Sequence, residues 1–270
     1  MTDTGSYIQA LLEGNPLREP ILRSAIRALQ LPAGSRGLDA GCGVGLQCLL
    51  LAEAVGSTGH VTGLDVSPGH LSHAEQVVKG SGLSEQISFR QGDVNKLPFH
   101  ENTFDWVWSA DCVGYPAADL LPVLTELARV TRPGGCIAIL AWSSQQLLPG
   151  YALLEARLNA ACSGYAPFLQ GKRPEEHFLR AGASFRAAGL QEVRAQTFVG
   201  EVQAPLGEDI CRAWVSLFQQ LWGEPQPEVS PSDWEWYQRL CQPDSPDFIL
   251  NLPDYYAFFT YSMFRGTVPA

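Results

Sequence analysis

The sequence contains no CxxC pair, no apolar run of 18 residues and no cluster of basic side chains. Each absence excludes something. Cysteines stand alone at 42, 48, 112, 136, 162, 211 and 241, an odd number without ligand spacing. Neither a metal site nor a disulfide framework is expected, and a reducing cytoplasm suits the chain. Without a long apolar run, no membrane span is expected. The opening "MTDTGSYIQALLEGNP" lacks both a basic start and a long apolar stretch, which argues against a secretory leader. The dispersed basic residues, mostly arginine, leave a net charge of −10. Such a surface repels a phosphate backbone, so nucleic acid is not an expected partner. Charged residues make up only 17% against 46% hydrophobic, so disorder is excluded and a large core is expected. A chain of 270 residues then suits one α/β domain with an insertion.

Short apolar runs at 36–40, 60–65, 86–91, 104–109 and 136–142 alternate with helical patterns at 45–55, 67–79 and 119–130. Ser67-Pro68 offers an N-cap followed by proline at the first helical position, and Asp119 caps the next helix. "RPGG" (132–135) stops it. Parallel neighbours need such crossovers. Ahead of them, "PILRSAIRALQL" (20–31) spaces Ile21, Ile26 and Leu29 as an amphipathic helix. Later, 174–190 reads as a helix closed by Gly189, and 191–202 and 255–268 read as strands. The expected architecture is a doubly wound, mostly parallel seven-stranded sheet, with a ligand beyond its carboxyl edge. Residues 205–253 carry seven prolines and four tryptophans (214, 222, 234 and 236). That is too much apolar bulk for a linker, so a helical cap inserted before the last strand is expected. The expected division is 1–204 with 254–270 as the main domain and 205–253 as the cap.

"RGLDAGCGVGLQ" (36–47) joins a strand to a helix through Gly41, Gly43 and Gly45. Glycine there lets a ligand approach the main chain. A dinucleotide fingerprint needs G-x-G-x-x-G, but Leu46 or Cys48 falls at the sixth position. Asp39 beside the turn repels a diphosphate and suits an ammonium or sulfonium. The loop is therefore expected to hold a cofactor of cationic character.

These residues resemble motif I of the class I S-adenosylmethionine-dependent methyltransferases. "VTGLDVSPGHLSHA" (61–74), "FRQGDVNKLPFHENTFDWVWSAD" (89–111) and "ELARVTRPGGCIAILAWS" (126–143) extend the resemblance, toward the quinone-biosynthesis C-methyltransferases. The resemblance covers about 20–143, with a weaker match at 174–200. It implies S-adenosylmethionine as cofactor and a Rossmann-like methyltransferase fold. It implies that Asp39, Gly41, Cys42, Gly43 and Gly45 form the loop site. Asp65, with Val66 after it, would take the ribose hydroxyls; its plainer role is to cap the next helix. Asp93 and Val94 would meet the adenine, or be ordinary turn residues. Ser109 and Ala110 would bind the methionine end through main-chain atoms.

Asp111 is a candidate general base or a solvated loop acid. Tyr115 and Trp142 are candidates for the acceptor pocket or for plain core. His177, ahead of the sixth strand, is a remoter candidate base. Cys42 is expected to act through its backbone. The implied activity is methyl transfer to an apolar or amphipathic small molecule, such as a quinone-like, polyketide or terpenoid ring. Rivals are a non-methylating reaction, such as cyclisation, on the same cofactor, and a non-catalytic nucleotide-binding protein.

Overall fold

The computed structural model describes residues 4–114, 119–161, 173–224 and 227–270. Helix α1 (Thr4–Leu29) leads into β1 (Arg36–Ala40), α2 (Leu46–Val55), β2 (His60–Asp65), α3 (Pro68–Ser81) and β3 (Ile87–Gln91). Then come β4 (Phe104–Ala110), α4 (Leu120–Val130), β5 (Thr131–Gln146), α5 (Ala152–Ala161), α6 (Ala181–Ala187) and β6 (Gln191–Gln203). Helices α7 (Glu208–Trp222) and α8 (Pro231–Cys241) precede the last strand, β7 (Tyr256–Thr267). The spatial order is β3-β2-β1-β4-β5-β7-β6. The first five strands in that order run parallel. Strand β7 inserts antiparallel between β5 and β6. This is the doubly wound α/β sheet expected from the alternation, and its order reverses between β1 and β4, where such sheets bind ligands.

Alternation along the central strands divides the core. Trp106 and Trp108 of β4, with Ala138, Leu140 and Trp142 of β5, pack on the α1–α2 face. Val107, Ile137, Ile139 and Ala141 pack on the α4–α6 face. The period of two follows from the pleat. Ser67 and Asp119 cap α3 and α4 as expected, each side chain accepting a main-chain N–H of its helix.

Three expectations need correction, and one element was not foreseen. The first helix begins at Thr4 rather than near residue 20 and runs through Pro16 and Pro20. Each proline removes a donor, but Leu17, Ile21, Leu22, Ala25 and Ile26 bury a stripe that holds the helix together. The segment 174–190 is not one helix: two 3₁₀ turns, Pro174–Glu176 and Phe178–Arg180, precede the short α6. The "RPGG" run does not merely end α4; the β5 ladder begins at Thr131, opposite Phe104, with an irregularity before Cys136. Helix α5 was not visible in the periodicity. Glu155 fixes its start, a buried carboxylate accepting the main-chain N–H groups of Leu147 and Leu148 at 2.8–2.9 Å.

Trp214, Phe218 and Trp222 of α7 and Tyr237 of α8 are buried in the same apolar cluster as α1 and β7. Trp214 donates to the Tyr255 hydroxyl, and Trp222 donates to Asn159 Oδ1 at 3.0 Å. Among the described residues no helix is long and apolar enough to cross a membrane, and no group of three metal-ligating side chains forms.

Candidate active site

The glycine loop turns sharply off the end of β1. The amides of Gly41 and Cys42 both donate to Leu64 O, at 2.8 and 2.9 Å, tying the turn to β2. Gly41 has φ +86° and a Cβ there would run into Cys112. Gly45 has φ +79° and a Cβ would stand 2.9 Å from the Ala74 Cβ. Both positions combine a left-handed backbone with no room, so glycine is required. Cys42 is buried and its thiol points back toward the carbonyl of Gly43, leaving its main chain to the turn.

Asp39 lies beneath this turn, 1% exposed. Its Oδ2 accepts the Cys48 thiol at 3.2 Å, while Oδ1 has no hydrogen-bond partner. Burial pushes its carboxyl up to about 7, opposed by the Cys48 bond and reinforced by the charge of Asp65. A buried, half-satisfied carboxyl is costly unless something cationic or hydrogen-bonding completes it. That orphan oxygen and the methyl-excluding turn fit a cofactor bearing ammonium and sulfonium charge.

Asp65 ends β2 beside the loop. Its Oδ2 accepts Gly43 N at 2.9 Å and its Oδ1 accepts Ser67 N at 2.9 Å. The His70 Nδ1 lies 3.2 Å from the same Oδ1. The His70 ring stacks on Tyr7 of α1, centroids 5.5 Å apart. Leu11 of the same helix faces Gly43. The Tyr7 hydroxyl is held above its usual range, first by burial, then by Asp111 and Asp65, with Arg18 opposing. The N-terminal half of α1 therefore crosses the sheet's carboxyl edge over the loop.

Val66 is 68% exposed beside Asp65. Asp93 is exposed and folds onto its own turn, accepting Asn95 N and Nδ2, both at 2.8 Å. Those bonds, the main-chain one first, hold its carboxyl below the ordinary range. Val94 packs against the α4–α6 core. Ser109 is buried; its hydroxyl donates to Ala40 O at 2.7 Å and accepts Val113 N at 3.3 Å, clamping β4 to β1. The Ser109 side chain is thereby committed to the sheet.

Asp111 follows with φ +50°. It is not a solvated loop acid: Oδ1 accepts Trp142 N at 3.1 Å and Oδ2 accepts the Tyr261 hydroxyl at 2.9 Å. Trp142 is buried and stacks on Phe259 at 4.6 Å. Tyr115 lies outside the described residues. His177 stands apart, its Nδ1 accepting Leu179 N at 3.2 Å within its own turn; no described contact joins it to Asp39, Asp65 or Asp111. The structure thus gathers Asp39, Gly41, Cys42, Gly43, Gly45, Asp65 and Asp111 at one edge and leaves His177 elsewhere. It adds His70, Tyr7 and Tyr261, which the sequence reading did not assign. For His70 a signal existed, since it lies five residues after Asp65, within one turn of the Ser67 cap. For Tyr261, 150 residues from Asp111, there was none.

A family model described as a methyltransferase domain matches residues 38–135. The demethylmenaquinone methyltransferase of Bacillus licheniformis is 32% identical over 196 residues, covering 66% of this chain and 80% of that protein. Methyltransferase GfsG of Streptomyces halstedii is 33% identical over 207 residues, covering 76% and 70%. Among solved structures, an S-adenosylmethionine-dependent methyltransferase from Aquifex aeolicus superimposes with a TM-score of 0.56 at 19% identity, covering 99% of this chain and all of that one. The chain belongs to the class I S-adenosylmethionine-dependent methyltransferases, in the quinone C-methyltransferase-like branch. It is an enzyme, and S-adenosylmethionine is its methyl donor.

Proposed function

We propose that this enzyme methylates an apolar or amphipathic small molecule, a quinone-like, polyketide or terpenoid acceptor. The observation that carries the reading is the pairing of the loop site with its relatives. The acids and glycines sit at the sheet's carboxyl edge in a chain 32% identical to a demethylmenaquinone methyltransferase. The donor, when bound, supplies an electrophilic methyl group on a sulfonium.

The protein's own part is to bind, orient and shield. Asp39, with the main chain of Gly41, Cys42, Gly43 and Gly45, would hold the cationic end. Asp65 would accept the ribose hydroxyls, Val66 would flank the nucleoside, and Asp93 and Val94 would meet the adenine. Main-chain atoms of Ser109 and Ala110 would complete the methionine end. Orientation alone supplies roughly 7–11 kcal/mol in such bimolecular steps.

Asp111 is the proposed base. Its carboxylate is pinned by Tyr261 and by the Trp142 amide, so it can take a proton from an acidic acceptor hydroxyl or carbon without reorienting. Trp142 would back the acceptor pocket, and 205–253 would close it. His177 has no role in this scheme. Free thiols at all six described cysteines suit a cytoplasmic setting.

The test is incubation with methyl-labelled S-adenosylmethionine and a panel of hydroquinone, polyketide and terpenoid acceptors, followed by solvent extraction. Label in an extracted product supports the reading. Acceptor rearranged without label supports the cyclisation alternative instead.

A further inference from the structure

The carboxylate of Asp65 offers about four lone-pair positions. Three donors already take positions there: Gly43 N on Oδ2, and Ser67 N and His70 Nδ1 on Oδ1. A ribose diol brings two more donors, one more than the carboxylate can accept. One present donor must leave. Gly43 N is fixed by the turn and Ser67 N by the start of α3, where the Ser67 side chain caps the His70 amide. Only the imidazole can swing away by side-chain rotation alone.

We propose that His70 is a plug of the ribose site, a positioning residue that stands on Asp65 in place of one sugar hydroxyl and yields when the nucleoside enters. The proposal rests on the assignment of Asp65 to the ribose. One feature supports a plug rather than a fixed brace. Among the described residues the one ring stacked on the imidazole, whose side chain is 16% exposed, is Tyr7, itself 48% exposed and near the start of α1.

The groups facing the imidazole are Asp65 from β2 and Tyr7 from α1. The charges of Arg18 and Asp111 reach the same Tyr7 hydroxyl.

The test is equilibrium titration of S-adenosylhomocysteine into the full chain and its variants. His70→Ala should bind about three- to tenfold tighter than wild type, the range for one hydrogen bond. His70→Gln still donates a hydrogen bond and should match wild type. Unchanged or weaker binding by His70→Ala overturns the plug and makes His70 a brace. A crystal structure with the nucleoside bound is the second measurement: His70 Nδ1 still on Asp65 Oδ1 also overturns it. Asp65→Ala, titrated alongside, separates the failures, because an unchanged constant there removes the ribose assignment itself.

Discussion

Tyr261 donates its hydroxyl to the carboxylate of Asp111 at 2.9 Å, joining the last strand to the end of β4 across 150 residues of chain. The bond and the Trp142 amide hold an acid with left-handed backbone at the sheet's carboxyl edge. Such strained residues persist where their surroundings over-determine them. Asp111→Asn should lower the methyl-transfer rate by about 10²–10⁴, the range for a general base, while the constant for S-adenosylhomocysteine stays within about threefold. Tyr261→Phe should lower kcat by about tenfold or more, because it removes a hydrogen bond to a charged group. Turnover of Asp111→Asn at the wild-type rate removes it from the chemistry.

Asp39 sets a pH dependence of stability. Its folded carboxyl titrates at about 7, raised chiefly by burial, whereas in an unfolded chain the group titrates near 3.9. Between these values the folded protein holds the proton more tightly. This group's contribution is therefore present below about pH 4 and is lost as pH rises toward 7. Asp39→Asn cannot lose it. The melting temperature of the variant minus that of wild type should rise by ~3 °C or more from pH 5 to pH 8. A difference independent of pH would show that the carboxyl titrates normally.

Two glycines of one loop should separate folding from binding. Gly41→Ala places a methyl against Cys112 at φ +86°, and should cost about 2 kcal/mol of stability or more. At Gly43 the added methyl meets only Leu11 Cδ1, at 3.7 Å, with φ +52°. Gly43→Ala should cost about 1 kcal/mol in stability and proportionately more in cofactor affinity. Calorimetry with and without S-adenosylhomocysteine reads both. Equal stability losses at the two positions would contradict the steric account.

Trp214 of α7 is fully buried against Phe218 and Phe259. Trp214→Ala should destabilise the whole protein by about 3–5 kcal/mol and lower the melting temperature by roughly 6–20 °C. Lost acceptor turnover at an unchanged melting temperature would instead make α7 a detachable cap.

Seven strands were legible because local pattern and tertiary role agree there. Strands β1 and β2 are short, largely buried runs that end at the glycine turn and just before the Ser67 cap. The start of α1 was hidden because Pro16 and Pro20 oppose a helix locally, and only burial against the sheet and α7 overrides them. The 174–190 pattern misled because its apolar spacing also suits successive tight turns, in which His177 caps its own main chain. In the site, the glycines and Asp39 were legible because a turn of that spacing has few uses. The partner of Asp111 was not. Tyr261 reaches it from the last strand, and Tyr7 stacks on His70 from the first helix; no local rule links residues so far apart in sequence.

The central claim is that the sheet's carboxyl edge, with Asp65 beside the glycine loop, is where the methyl donor's nucleoside sits. Calorimetric titration of S-adenosylhomocysteine into wild type and Asp65→Ala tests it most directly. Wild type should bind one equivalent per chain, and the variant should bind about 1.5–3 kcal/mol more weakly, the worth of hydrogen bonds to a charged group. Equal binding by both proteins would contradict it.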